Sequence, residues 1–306
     1  MGFLLAVQGA ASQGILWGIM ALGVFITFKV LDFPDLTVDG SFALGGAVGA
    51  VLVSHNADPL VSLAAAFIAG SFAGAVTALL HTKLKIPGIL AGILTMIALY
   101  SVNIRIMGKA NIPLLGVTTL MSRVADLTGA GKTLSSLISG IVFSAAIIAL
   151  LYWFFGTELG SAIRATGTNE HMIRAQGVNT ENMKLIGLAL SNGLTALSGA
   201  LVAQSQGYAD VGMGVGAIVI GLASIIIGEV IFGHRIAFWY TLAGVVLGSI
   251  TYRIIIALVL QLGMKSTDLK LLTACLVALS LAIPVVKANY MQKKQFKMRQ
   301  KGGTLC

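Results

Sequence analysis

Thr157-Glu158-Leu159-Gly160-Ser161-Ala162-Ile163-Arg164-Ala165-Thr166-Gly167-Thr168-Asn169-Glu170-His171-Met172-Ile173-Arg174-Ala175-Gln176-Gly177-Val178 is a polar stretch set between long apolar runs. It is too long and too regular for a plain connection between membrane helices. Leu159, Ile163, Met172 and Ile173 give it an incomplete apolar stripe, with Arg164, Thr168, Asn169, Glu170 and Arg174 between them. Gly167 and Gly177 are expected to turn the chain after each short helical stretch. Such a helix can lie against a bundle and offer its polar ridge to a soluble partner. A helix resting on lipid would carry the same pattern.

The flanks set the class. Of 306 residues, 57% are hydrophobic and only 10% charged, where soluble domains carry about 25% charged residues. The mean hydropathy is +0.94. No soluble packing hides that much apolar surface, so an all-α polytopic membrane bundle of about eight to ten transmembrane helices is expected. The apolar segments are too long and uniform for barrel strands of about 10 residues. Nine spans are read at about 10–30, 41–54, 59–80, 87–107, 134–155, 182–206, 214–232, 236–260 and 269–286. The second is short for a crossing of about 20 residues and needs the segment before it. Residues 1–287 form the transmembrane domain and 288–306 a basic tail. No cleavable leader is expected, since residues 1–12 lack basic residues and run on into the first span.

Charge orients the threading. On the side of 157–181 and the tail lie thirteen Lys and Arg: Lys29, Lys83, Lys85, Arg164, Arg174, Lys184, Arg235, Lys287, Lys293, Lys294, Lys297, Arg299 and Lys301. The other side holds six, namely Arg105, Lys109, Arg123, Lys132, Lys265 and Lys270, with Arg253 inside a span. The positive-inside rule then puts the N-terminus outside and the C-terminus in the cytoplasm of a prokaryotic plasma membrane. The net charge of +9 reads as a tail held near anionic lipid, not as a nucleic-acid surface.

Phe33-Pro34-Asp35-Leu36-Thr37-Val38-Asp39-Gly40 and Tyr208-Ala209-Asp210-Val211-Gly212-Met213-Gly214 each follow one apolar helix and open another. In this threading they lie toward opposite sides. Either they mark an inverted internal repeat, with a pathway at its interface, or they are chance likeness in a Gly-rich chain. Asp35, Asp39 and Asp210, with the amides Asn103 and Asn192, are the candidate substrate-pathway residues, because polar groups at membrane depth tend to face cavities. A surface turn in which Asp39 caps the next helix and interhelical bonding by the amides, Gln204 included, are the alternatives. The pairs Gly14/Gly18, Gly45/Gly49, Gly70/Gly74, Gly88/Gly92 and Gly244/Gly248 indicate close helix packing.

Nothing points to catalysis. There is no HExxH, no Walker A loop, no GxSxG and no Cys/His metal spacing. Cys275 and Cys306 make neither a disulfide framework nor a metal site. The chain by itself is expected to bind no cofactor and to hydrolyse no ATP.

Leu159-Gly160-Ser161-Ala162-Ile163-Arg164-Ala165-Thr166-Gly167-Thr168-Asn169, followed by Gly177-Val178, resembles the cytoplasmic coupling segment of ABC importer permeases of the branched-chain amino acid and ribose type. Asp35-Leu36-Thr37-Val38-Asp39-Gly40-Ser41 resembles the Asp-Leu-Ser-Val-Gly-Ser run of the sugar members, and Asn182 to Ala203 the helix that follows the coupling segment in the amino-acid members. The resemblance covers residues 13–287. It implies a permease subunit that dimerises around a central pathway, is driven by two cytoplasmic ABC ATPases that bind ATP and Mg²⁺, and receives substrate from an extracellular binding protein. It also implies docking on the ATPase through 159–178, with Leu159, Gly160, Arg164, Ala165, Gly167, Asn169, Arg174 and Gly177 as coupling residues. Asp39 replaces the Gly of the sugar motif, which brings the chain closer to an amino-acid branch often linked with aromatic amino acids. Import of an amino acid is therefore expected. An ion-coupled secondary transporter using Asp32, Asp35, Asp39 or Glu229, a sugar or nucleoside permease, and a non-transporting scaffold are the alternatives.

Overall fold

A computed structural model describes residues 2–129, 131–232 and 237–263, with 268, 271–275, 277, 278 and 282 beyond them. Among these, seven helices are long and apolar enough to cross a membrane, and Ala217–Phe232 is a shorter apolar helix. They correspond to eight of the nine expected spans. The ninth, at 269–286, falls mostly outside the described residues, and the tail at 288–306 wholly so.

The helices are α1 (Gly2–Phe25), α2 (Thr37–Ser54), α3 (Pro59–Thr82), α4 (Gly88–Met107), α5 (Leu120–Thr128), α6 (Lys132–Gly156), α7 (Glu158–Thr168), α8 (Glu170–Ala175), α9 (Thr180–Gln206), α10 (Ala217–Phe232) and α11 (Phe238–Gln261). A π-helical turn, Ile26–Val30, ends α1. Two short strands, β1 (Asn111–Pro113) and β2 (Tyr208–Asp210), pair antiparallel, with Ile112 opposite Ala209. Local chemistry marks the boundaries. Asp58 caps α3 by accepting from the Leu60 N–H at 2.9 Å, with Pro59 at the first helical position. Asn179 caps α9 through Glu181 and Asn182, and α9 ends at Gly207 with φ +80°.

Helix α9 is the central post, buried along most of its length. Its small residues let neighbours come within backbone contact. A Cβ on Gly45 of α2 would fall on the Ala196 carbonyl, and one on Gly74 of α3 on the Leu188 carbonyl. Gly14 and Gly18 of α1 lie the same way on Ile250 and Val246 of α11. The glycine pairs are thus packing surfaces, as lipid-embedded bundles require where burial of apolar area cannot drive association. Gln204 joins helices as well: its Nε2 donates to Ser62 at 3.0 Å and its Oε1 accepts from the Leu120 N–H at 2.9 Å.

Helix α2 extends back from the expected 41–54 to Thr37. Its start is level with the middle of α4, since Gly40 packs on Met96 and Leu99. Helix α10 starts at the same level, where Gly214 abuts the Asp39 carbonyl. With 16 residues it is roughly 24 Å long, and it runs back beside α1 toward the α7–α8 end, where Glu229 meets Lys29 at 2.9 Å. The two like segments therefore open helices that leave one level in opposite directions. Each carries the same turn: Asp35 Oδ1 accepts from Thr37 N–H at 2.9 Å, and Asp210 Oδ1 from Gly212 N–H at 2.7 Å.

Candidate functional site

The polar stretch folds as two short helices in a bent arm. Helix α7 starts under Thr157, whose hydroxyl accepts from the Gly160 N–H at 3.3 Å. Gly160, Ile163 and Thr166 face the bundle and are buried, as three- and four-residue spacing dictates. The chain bends at Asn169, with φ −157° and ψ +96°, and Asn169 caps α8 through the Met172 N–H at 3.0 Å. Gly177, at φ +86°, makes the return into α9.

Two expectations are corrected here. Gly167 does not turn the chain; it lies inside α7, where a Cβ would strike the Val30 carbonyl and approach Leu31 Cα. Its smallness seats α7 on the π-turn of α1. The apolar residues also do not form one stripe. Ile163 and Ile173 are buried, whereas Leu159 and Met172 are exposed, because the break at Asn169 gives each short helix its own inward face.

An ionic network fixes α8. Glu170 accepts from Arg174 at 2.6 Å, from Lys184 at 2.7 Å and from Thr180 at 3.1 Å. Lys184 reaches His81 Nε2 at 3.5 Å, and Glu181 of α9 bonds Lys83 and Lys85 of the α3–α4 turn at 2.8 and 3.0 Å. The arm is thus tied to α9 and, through it, to α3. Arg164 sits 5.6 Å from the Phe238 ring centre, and Ala165 lies half-buried beside it. Leu159, Arg164, Asn169, Met172, Arg174 and Gly177 stand on the exposed side.

Partial burial works against ionisation of Glu170, but Lys184, Thr180 and Arg174 outweigh it and hold the carboxyl below its ordinary 4.5. A depressed pKa stabilises the fold above the unfolded value, so this contribution is complete above about 4.5 and is lost as pH falls through the lowered value. The groups are partly exposed, which limits it to about 1 kcal/mol. Glu170→Gln should therefore speed amide exchange across α8 by about fivefold at pH 7, and the wild type should approach the variant only as pH falls below 4.5 and through the lowered value. Equal exchange in both at pH 7 would show that the network does not hold α8.

The candidate pathway residues separate into two groups. Asp35 and Asn192 are fully buried and bonded together: Asn192 Nδ2 donates to Asp35 Oδ2 at 2.7 Å and to the Leu188 carbonyl at 3.0 Å, and Ser41 donates to Asn192 Oδ1 at 2.7 Å. This network fastens the start of α2 to α9. Asp39 and Asn103 instead line a lateral concavity of about 430 Å³ at the level where α2 and α10 begin. Asp39 also caps α10, its two oxygens accepting from Gly216 and Ile218 N–H at 2.9 Å each. Asp210 stands apart from it, in the β1–β2 pair opposite Asn111. Tyr100 and Ser101 line the same concavity and were not picked out from the sequence. Their signal was there, two hydroxyls on the helix turn before Asn103, but α4 alone does not say which face meets α2.

A match to the family described as the permease component of branched-chain amino acid transport systems covers residues 6–283. The chain is 42% identical to a tyrosine transport system permease of Clostridioides difficile over 89% of its own length and 88% of that protein's. It is 32% identical to a ribose import permease of Escherichia coli over 60% of its length and 56% of the relative's, and 24% identical to a probable branched-chain amino acid permease of Methanocaldococcus jannaschii over 66% of each. With a helical bundle of matching class and a family match across nearly its whole length, the chain belongs to the permease components of the branched-chain amino acid transport family, which are membrane subunits of ABC transporters.

Proposed function

We propose that this chain is the membrane subunit of an ATP-driven importer of an amino acid, with an aromatic amino acid such as tyrosine as the first candidate. The seated arm α7–α8 carries this reading. It rests on backbone of α1, is bonded to α9, and leaves Leu159, Arg164 and Met172 exposed toward an ATPase surface. Two copies would enclose the pathway, two cytoplasmic ATPases would bind ATP and Mg²⁺, and an extracellular binding protein would deliver substrate. The N-terminus lies outside and the C-terminus inside, in keeping with the charge asymmetry along the chain. The high identity to a tyrosine permease over nearly full length supports the substrate class. The salt bridge of Glu229 with Lys29 already occupies one carboxylate an ion-coupled carrier would need.

The test is uptake by proteoliposomes holding the permease, its ATPase and its binding protein. Labelled tyrosine should accumulate with ATP and the binding protein, and ribose should not. Accumulation of ribose would move the chain to the sugar branch. Transport by the permease alone under an ion gradient would overturn the ABC reading.

A further inference from the structure

We infer that the pocket where the arm leaves the bundle binds the phosphate of an anionic phospholipid from the cytoplasmic leaflet. This rests on the cytoplasmic placement of α7 proposed above. The pocket, of about 540 Å³, lies between the last turn of α6, the start of α7 and the start of α11. Tyr152, Trp153, Thr157, Arg164 and Phe238 are among its walls.

Depth points to a lipid. The spans of α6 and α11, Thr133–Gly156 and Phe238–Gln261, have 24 residues each. That is about 36 Å of helix against a hydrocarbon core of about 30 Å. Gly156 and Phe238, the ends of both spans, border the pocket, so it falls at headgroup depth. Trp153 stands about 200° round α6 from Leu151, which is fully buried. It therefore faces away from the bundle, 70% exposed, and Tyr152 and Trp239 are more than half exposed. Exposed Trp and Tyr at a span end match the membrane–water interface.

Charge points to an anion. Arg164 is exposed, with its guanidinium 5.6 Å from the Phe238 ring centre. Among the described residues it has no carboxylate partner, and no Asp or Glu borders the pocket. Glu158 lies about 120° round α7 from Arg164, and Glu170 is engaged by Lys184. The Thr157 hydroxyl is spent on the Phe154 carbonyl and the Gly160 N–H. The groups left for a ligand are the guanidinium donors and the Tyr152 phenol. A phosphodiester fits them. A zwitterionic headgroup brings a cation that finds no acid there, so a net anionic lipid is favoured, as the cytoplasmic leaflet supplies.

The test is native mass spectrometry of the full-length permease, delipidated and then titrated with phosphatidylglycerol or phosphatidylcholine. Phosphatidylglycerol should bind about tenfold more tightly, the worth of one charge-assisted bond. Arg164→Gln should erase that preference, and Trp153→Ala should weaken both lipids. Both side chains are exposed, so neither change disturbs the core. An unchanged preference in Arg164→Gln would overturn the site. Displacement of the lipid by millimolar inorganic phosphate would make it a free-anion site, and displacement by the ATPase would make it part of the protein-docking face; either result overturns the inference. The placement is tested separately with Thr168→Cys in a Cys275→Ser/Cys306→Ser background. An impermeant maleimide should label it only after cells are opened. Labelling of intact cells would overturn the cytoplasmic placement, and the leaflet assigned here with it, whatever the lipid titration shows.

Discussion

Replacing Gly167 by leucine should abolish ATP-driven uptake while the bundle still inserts. A side chain at this position meets main chain on the far side: the Val30 carbonyl and, at 2.8 Å, Leu31 Cα. Main chain cannot rotate away as a flexible side chain would, so α7 has to lift by about an ångström or more. The lift would also pull Ile163, now fully buried, from its seat. Misplacement of that size at a working surface costs about a hundredfold in rate, so uptake driven by the binding protein should fall to about 1% of wild type. Gly167→Ala should fall between the two. Arg164→Glu reverses charge on the exposed side without touching the seat, so it should weaken recovery of the ATPase and leave the fold intact. Co-purification of the ATPase and uptake in proteoliposomes measure both effects. Wild-type uptake by Gly167→Leu would mean that the seat on Val30 is not needed for coupling.

Asn192→Leu should produce the largest loss of stability. Leucine is close in size but donates nothing. It would leave the fully buried Asp35 carboxylate without its 2.7 Å bond and Ser41 without its acceptor. An unpaired buried polar group costs about 1–3 kcal/mol, and more when charged, so a loss of about 3 kcal/mol is expected. In a chain of this size that lowers the unfolding midpoint by roughly 6–10 °C. Differential scanning of the detergent-solubilised protein reads this directly. A shift under about 2 °C, which corresponds to less than 1 kcal/mol, would mean that the start of α2 is held by packing alone.

The spans were legible because each is one long apolar run, and length and hydropathy survive any change in packing. Helices α3, α4, α6 and α9 begin and end within two residues of expectation. What escaped depends on partners far away in sequence. A glycine that turns the chain and one that lets another backbone approach look alike in sequence. Gly177 is the first kind and Gly167 the second, and only φ and the neighbour at Val30 distinguish them. Strands β1 and β2 are three residues each and joined by main-chain bonds, so they leave little imprint on side-chain choice. Helix α5 was missed because its amphipathic run is short and its capping pair, Thr119 and Ser122, lacks the usual acidic third residue. The acidic run from Asp32 to Asp39 was recognised as unusual, but capping and cavity-lining were open alternatives for Asp39. Asp39 lies inside α2 and does not cap it; it caps the distant α10 instead, while it borders the concavity.

The π-turn at the end of α1 links these parts in a way that no side-chain contact does. Val30 is the backbone on which the arm sits, and only residues 31–38 separate it from Asp39, the cap of α10. The shortest route from the surface arm to mid-membrane is therefore covalent, a tether of eight residues whose middle is anchored at Asp35. A π-turn holds one residue more than the α-turn it replaces. Rewinding Ile26–Val30 as α-helix would release one residue of slack into that tether, so the turn can meter displacement along the chain as well as end a helix.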